Sequence, residues 1–432
     1  MTRTLDEALL DTMPAREIGI LTGSPLWAEL KTAVEQLVTA EDTASALLTR
    51  IAPDASPNET LEILRAAMTA TVTTAPALSA EDAHLQRLVQ AAADFYTGQY
   101  TGSGAQRYMH ARFGPVIDTA GYTIGYAPAG WTTLVDHLRA TLNAADADLV
   151  AAGLATVSKR GTLIDIFRDR VTFAVTNSAG LIVGFSARCA PGAPAGTPKY
   201  INSPTTTIFD KGQLLFGLDE GRAALNRGAT PVRVEGPMDA VAITLAGQGS
   251  AVGLAPMGTA LTDDQAALIT AAAPASRIVL AATDADAAGR AAAARDFATY
   301  TAHGLDPREL ILSSHLDQQT PKDPAEAFEH DPGSLTIALQ LPSIAPSLAS
   351  TLIRDMLTDP NIDTDNLHKR YAIAAAAGRL IHQLPASARD QEIASAAAAI
   401  AHLTNTLASE PDYAHIIANP PEMSDLDDTM AP

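Results

Sequence analysis

Five acidic side chains stand where strands should end. Glu235 follows the run VRV directly, and Asp239 lies four residues on, in the first turn of the helix that MDAVAITLAG predicts. Asp284 and Asp286 follow IVLAAT at a spacing of two, so on an extended backbone both carboxylates point the same way. Asp323 sits in Pro321-Lys322-Asp323-Pro324, after the apolar run ELILSS. Carboxylates gathered at neighbouring strand ends repel one another unless a cation sits among them. Hard divalent ions take oxygen ligands, and Mg²⁺ is held by one or two carboxylates together with substrate phosphates. Two such ions about 4 Å apart stabilise both the attacking and the leaving oxygen of a phosphoryl transfer. A lone Asp at a strand-to-helix junction is ordinarily an N-cap, and Asp239 in a first turn also suits the helix dipole. Glu235, Asp284 and Asp286 together, at two strand ends of one sheet, point instead to metal-dependent chemistry.

The elements that must hold these residues alternate. From Thr230 the chain reads PVRVEG as a strand, MDAVAITLAG as a helix and AVGLAP as a strand, then LTDDQAALITAAA as a helix. RIVLAATDAD is a strand, AAGRAAAARDFATYTAHG a helix and ELILSS a further strand. Such alternation predicts a parallel sheet with helices on its faces, and these sheets place their chemistry at the carboxyl ends of the strands. Upstream, LVQAAADFYTGQY and GAQRYMHARFG read as helices, followed by IGYAP. VTFAVT and LIVGFSAR form a predicted hairpin across Asn177-Ser178-Ala179-Gly180, and the loop PGAPAGTP leads into KYINSPTTTIFDKG. Phe167, Phe173 and Phe185 fall in this region as core residues rather than stacking platforms. Residues 1–86 read as amphipathic helices without a catalytic constellation, and beyond residue 331 the chain returns to Ala-rich helices and a polar tail.

Charge is distributed unevenly. The 432 residues carry a net charge of −20, with 5 basic and 13 acidic side chains in residues 1–86 and again 5 and 13 in residues 331–432. Between them, residues 159–234 hold 10 basic and 5 acidic side chains. A basic window inside an acidic chain is a candidate polyanion surface. Cys189 is the single cysteine, which excludes an internal disulfide and a cysteine-built zinc site. No Gly-Lys pair occurs, which excludes a P-loop helicase. No apolar run is long enough to span a membrane and the start MTRTLDEALL is no signal peptide, so the expectation is a soluble, cytoplasmic protein with no membrane partner.

VEGPMDA followed by TDADAAGR resembles the paired acidic signatures of the TOPRIM domain. IDIFRDRVTFAVTNSAGLIVGFSAR and PKYINSPTTTIFDKGQLLFGL are similar to the core of DnaG-type bacterial primases, as are QRYMHARFG, IGYAP, GLAPMGTALT and PKDPAEAF. The resemblance runs from about Leu88 to His330, and more loosely through GRLIHQLPASARDQEI. It implies an α/β fold: a TOPRIM (Rossmann-like parallel) sheet with a mixed α+β basic subdomain, flanked by helical segments. The expected domains are 1–86, a helical segment of unassigned role; 87–229, the basic core subdomain; 230–330, the TOPRIM domain; and 331–432, a helical subdomain with its tail.

The resemblance also implies roles. Glu235 matches the family's glutamate, a metal ligand with a general acid/base role; Asp284 and Asp286 match its DxD ligands, and Asp239 and Asp323 its accessory acidic positions. Arg168, Arg170, Arg188, Lys199 and Lys211, with Asn202 among them, match positions lining the template and nucleotide groove. The implied activity is a DNA-dependent RNA primase using two Mg²⁺ or Mn²⁺ ions, with single-stranded DNA and ribonucleoside triphosphates as partners. Pro237 and Ala285 depart from the family's common residues without removing a ligand. The family's amino-terminal zinc ribbon has no counterpart in a chain whose only cysteine is Cys189. That departure implies no zinc and an accessory or mobile-element primase that relies on a helicase or another replication or mobilisation protein. The alternatives are a TOPRIM-type metal-dependent nuclease, or a primase-derived protein that binds single-stranded DNA or a helicase without synthesis.

Overall fold

The computed structural model describes residues 78–258, 260–282, 287–312, 321–358, 366–403 and 412–421. The helices expected in residues 1–77, the pair Asp284 and Asp286, and the polar tail lie outside the described residues.

Helix α1 (Ala80–Gly98) starts where the Ser79 hydroxyl accepts the Asp82 amide, and it buries Leu85, Leu88, Val89, Ala92, Ala93 and Tyr96 at helical spacing. Helix α2 (Gly104–Phe113) is capped in the same way by Ser103 and buries Ala105, Met109 and Phe113. Both stripes join the main core, and α1 packs on an antiparallel sheet. Its strands are β1 (Ile124–Ala127), β4 (Arg170–Thr176), β5 (Ile182–Cys189) and β6 (Tyr200–Asn202), in the order β1-β4-β5-β6. Helices α3 (Thr133–Leu142) and α4 (Asp146–Ala151) and the small pair β2 (Ala155–Val157) and β3 (Leu163–Asp165) lie between β1 and β4 in the chain. The expected hairpin is present: Asn177 Oδ1 accepts the amides of Ala179 and Leu181, and Gly180 takes a φ of 73° at the turn. Phe167, Phe173 and Phe185 are buried, as the sequence led us to expect.

The second sheet has the order β11-β10-β8-β9-β7. Strands β8 (Thr230–Arg233), β9 (Ala251–Pro256), β10 (Ile278–Ala281) and β11 (Asp306–Glu309) are parallel, whereas β7 (Leu215–Phe216) adds an antiparallel edge beside β9. Helices α5 (Leu218–Asn226), α6 (Pro237–Gly247), α7 (Asp263–Ala272) and α8 (Ala287–Ala302) connect the strands. Helix α6 crosses β9 so closely that a Cβ on Gly253 would lie 2.3 Å from the Ala240 carbonyl oxygen, a contact only glycine permits. The last strand lies earlier than the apolar run ELILSS suggests. Asp306 to Glu309 pair with Ile278 to Ala281, and the sheet accepts Pro307 because β11 is an edge strand.

One hydrophobic core runs through both sheets, from Val89, Phe173 and Phe185 to Val234, Val241 and Leu280. A second cluster, including Leu254, Ile269, Val279 and Tyr300, packs within the parallel-sheet lobe. Helices α9 (Pro324–His330) and α10 (Pro332–Gln340) follow, with Leu335 and Leu339 in the main core. Helices α11 (Leu348–Thr358), α12 (Leu367–Ile381), α13 (Ala386–Leu403) and α14 (Tyr413–Ala418) gather around their own cluster, including Ile353, Ile373, Ile381, Ile400 and Ile417. Arg308 joins this layer to the sheet edge by donating to the carbonyls of Ser343 and Ala345 at 2.8 and 3.0 Å. Among the described residues no helix is long and apolar enough to cross a membrane.

Candidate metal centre and nucleic-acid interface

Strand β8 ends at Arg233, and the chain passes through Val234 to an exposed Glu235 before α6 begins. Asp239, in the first turn of α6, is 8% exposed, and its carboxylate accepts the Ala325 amide at 3.2 Å. Burial pushes its pKa up to about 7, and the nearby charge of Asp323 pushes the same way. The Ala325 amide and Lys199 pull against that rise, and Glu235 adds to it. Asp323 is the N-cap of α9, accepting the Glu326 amide at 2.7 Å, so this residue performs the ordinary capping role and also crowds Asp239.

Glu235 and Asp323 both lie close enough to act on Asp239, and three carboxylates with no His or Cys among them form the donor set that hard divalent cations select. Among the described residues no three His, Cys, Asp or Glu side chains converge tightly enough to hold an ion by themselves. Strand β10 brings its own end beside theirs: Ala281 is in register with Arg233, and the Ala282 amide donates to the Arg233 carbonyl at 2.9 Å. Ala282, two residues before Asp284 in the sequence, therefore lies beside the end of β8 that leads to Glu235.

The antiparallel sheet meets this acidic end along β6. The ring of Tyr200 packs over Gly236, where a Cβ would come within 3.4 Å of it. The Tyr200 oxygen accepts from Arg188 Nη1 at 3.1 Å and from the Met238 amide, and burial drives its pKa upward. Tyr200 thus pins the turn between Glu235 and Asp239. Arg188 lies with its guanidinium carbon 5.4 Å from the Tyr200 ring centre and 5.6 Å from that of Tyr108 on α2. Burial works against the Arg188 charge, but the phenols of Tyr200 and Tyr108 outweigh it and hold its pKa above the ordinary value. Lys199 is exposed, with its ammonium 5.9 Å from the Tyr200 ring centre. Asn202 donates to the Met257 carbonyl at 2.8 Å and so ties β6 to the loop after β9. Its Oδ1 is buried without a hydrogen-bond partner among the described residues. Lys211 is partly exposed, and its carbonyl is held by Gln265 Nε2 at 2.9 Å.

Two of the expected groove residues are placed differently. Arg168 donates to the Asp165 carbonyl and stacks over Trp131 at 4.5 Å, the tryptophan itself being 64% exposed. Arg170 is 4% exposed and donates to the carbonyls of Ala187, Pro198 and Lys199 at 3.3, 3.0 and 3.5 Å. Its charge is spent inside the sheet, where it holds the chain entering β6. The two arginines do not share a strand face: β4 begins at Arg170, and Asp169, at a φ of 49°, breaks the extended backbone between it and Arg168.

Sequence reasoning missed Tyr108, Tyr200, Trp131 and Arg112. Arg112 on α2 pairs with Glu329 on α9 at 2.5 Å, beside the Phe113 and Phe328 rings at 5.7 Å. This clasp joins the basic lobe to the helix capped by Asp323. The aromatic residues inside QRYMHARFG and KYINSP were the available signal, since rings interleaved with basic residues suit nucleic acid.

Comparison with known proteins agrees with this geometry. Residues 95–222 match the family model of the DNA primase catalytic core, N-terminal domain, and residues 232–327 match a Toprim-like family model. A DNA primase of Synechococcus elongatus is 36% identical over 266 residues, which is 61% of this chain and 36% of that relative. The chain spans between about a third and a half of the length of the curated relatives it matches. Among solved structures, the DnaG primase catalytic domain bound to ssDNA superposes with a TM-score of 0.60 at 25% identity, covering 77% of this chain and 98% of that one. A DNA primase domain from Pseudomonas aeruginosa gives a TM-score of 0.58 at 28% identity, covering 75% of this chain and 97% of that one.

Proposed function

Residues 95–327 form a primase catalytic core of the DnaG type, an N-terminal core domain followed by a Toprim-like domain, and on that premise we propose that this chain synthesises short RNA primers on single-stranded DNA. The observation that carries the proposal is the meeting of the two lobes at Tyr200. One phenol contacts Arg188 on the basic side and the backbone at Met238 on the acidic side. A nuclease needs only the carboxylates. A polymerase must also hold a template and an anionic triphosphate next to them, and Arg188 and Lys199, both over the Tyr200 ring, support that reading.

The carboxylates of Glu235, Asp239, Asp284, Asp286 and Asp323 would hold Mg²⁺ or Mn²⁺, two ions in the full site, which supply the Lewis acidity that makes the attacking 3′-hydroxyl more acidic and neutralises the departing pyrophosphate. Arg188 offers a fork of donors suited to phosphate, and Lys199 and Lys211 offer point charges. Tyr200 sets the distance between these cations and the acidic turn. Asn202 fixes β6 against the loop after β9, and the Arg112–Glu329 clasp keeps α9, with its Asp323 cap, against the basic lobe.

The domains follow this division of labour: 87–229 for template and nucleotide, 230–330 for the metal ions, and 331–432 as a supporting helical subdomain. Residues 1–86 contain no cysteine and so no cysteine-built zinc ribbon. That favours an accessory or mobile-element primase to which a partner such as a helicase delivers the template.

Primer synthesis on mixed single-stranded templates, with labelled ribonucleotides and Mg²⁺ or Mn²⁺, tests the proposal. Short products should form, and Asp284→Ala should abolish them while the melting temperature stays put. Metal-dependent cutting of DNA without nucleotides would replace the proposal with a nuclease. DNA binding with neither reaction would leave a primase-derived binding protein.

A further inference from the structure

We infer that Tyr108 is a positioning residue: with Tyr200 it brackets Arg188 and holds the guanidinium as a preset receptor for a phosphate group. The inference deepens the primase proposal and rests on it for the identity of the ligand.

Three separate elements build the bracket. Tyr108 comes from α2, Arg188 from β5 and Tyr200 from β6, and the two rings lie 5.6 and 5.4 Å from the guanidinium carbon. An arginine held by ring faces keeps its charge while losing the freedom of its long side chain, so less entropy remains to be lost on binding an anion. Among the described residues no carboxylate forms an ion pair with Arg188; its side chain donates to the Tyr200 oxygen at 3.1 Å and hydrogen-bonds Tyr108, both uncharged phenols. Its remaining donors therefore meet no counter-charge and stay available to a ligand. The contrast with Arg170, on the adjacent strand β4, is direct. Arg170 is buried and its guanidinium is spent on three carbonyls. Tyr108 also stands one helical turn before Arg112, which clasps α9, so the same face of α2 reaches both the basic edge and the acidic lobe.

Phosphate at this position comes either from the template backbone or from the incoming triphosphate, and two measurements on the full chain separate the sources. One is the KM for ribonucleotides in primer synthesis. The other is the Kd for a labelled single-stranded oligonucleotide without nucleotides, read at several salt concentrations. Tyr108→Leu removes the ring and should weaken one of the two constants by about 5- to 10-fold with kcat unchanged. Tyr108→Phe keeps the ring and should stay within about twofold of the parent. A changed KM assigns the phosphate to the triphosphate; a changed Kd with a shallower salt dependence assigns it to the template.

Arg188→Lys, which keeps the charge and loses the fork, should reproduce the loss, and the double variant Tyr108→Leu/Arg188→Lys should lose no more than either single change. The inference is overturned if Tyr108→Phe falls as far as Tyr108→Leu, if Tyr108→Leu leaves both constants within about twofold, or if the double variant is additive. Should Tyr108→Leu fail to fold, Arg188→Lys decides alone: unchanged constants overturn the bracket. The oligonucleotide measurement needs no synthesis, so a chain that makes no primers still answers it. In that case an unchanged Kd in both Tyr108→Leu and Arg188→Lys overturns the inference separately from the primase proposal.

Discussion

The two sheets hold their charged residues in opposite ways. In the antiparallel sheet Arg170 and Arg188 sit on strands, and neighbouring strands decide what each can reach. Arg170 is bound by carbonyls of β5 and of the segment entering β6, while Arg188 lies between two rings. In the parallel sheet Glu235 and Asp239 stand beyond the strand end, on a turn and a first helical turn. A strand residue inherits its position from the ladder. A residue past the strand end needs struts from elsewhere, and this chain supplies them: the Tyr200 ring over Gly236, the Ala325 amide on Asp239, and a buried ion pair beneath the site.

That ion pair gives the sharpest way to break the comparison. Arg233 Nε and Asp296 Oδ2 lie 3.2 Å apart, both side chains at most 4% exposed, and Asp296 also accepts the Leu261 amide at 3.2 Å. It ties the end of β8 to α8 and to the loop before α7. Asp296→Ala leaves a buried guanidinium without this partner and should cost about 3 to 5 kcal/mol of unfolding free energy in urea titrations. The double variant Arg233→Leu/Asp296→Leu should recover most of it, because two apolar side chains avoid the desolvation cost. An Asp296→Ala protein as stable as the parent would mean that the parallel lobe does not depend on this strut.

The seam between the lobes should show a smaller, pH-dependent effect. Glu220 on α5 has a buried Oε2 without a hydrogen-bond partner among the described residues, near Tyr122, whose ring stacks 5.4 Å from Phe216. Burial lifts its pKa from 4.5 to about 7, with the Asp219 charge adding to the rise. The folded state therefore holds the proton more tightly than the unfolded chain. Its contribution is complete below about 4.5, declines as pH rises, and is gone above about 7, a loss of up to about 3 kcal/mol. Glu220→Gln should flatten that part of the stability curve between about pH 4.5 and 7, the span of the shift. Parallel curves for the two proteins would show that the carboxyl meets water in solution.

The smallest effect concerns the two arginines. Arg170→Met should lose about 1 to 3 kcal/mol of stability, since three buried carbonyls lose their donor, while oligonucleotide binding by the folded protein stays within about twofold. Arg188→Lys should leave stability unchanged and weaken either oligonucleotide binding or the KM for ribonucleotides. If Arg170→Met instead abolished DNA binding without loss of stability, the division between a supporting and a ligand-facing arginine would fail.

Much of this arrangement is legible in the residues themselves. The β-α alternation from Thr230 announces the parallel sheet, and Asn177 to Gly180 announces the hairpin, because periodicity and turn chemistry act over a few neighbouring residues. The acidic strand ends follow from that alternation. The position of β11 does not, because an apolar run marks burial rather than pairing, and the edge of the sheet tolerates Pro307.

The sequence by itself thus determined the β-α alternation from Thr230, the hairpin, the acidic end after β8 and the basic window, all properties of local order along the chain. Only the tertiary structure decided that Arg170 is sealed inside while Arg188 lies over the rings of Tyr108 and Tyr200, that Tyr108 and Arg112 reach from α2 toward the two lobes, and that Asp239 and Asp323 crowd one another. Those pairings join residues far apart in the chain, and which of them meet depends on how helices and strands pack, a quantity that no local pattern encodes.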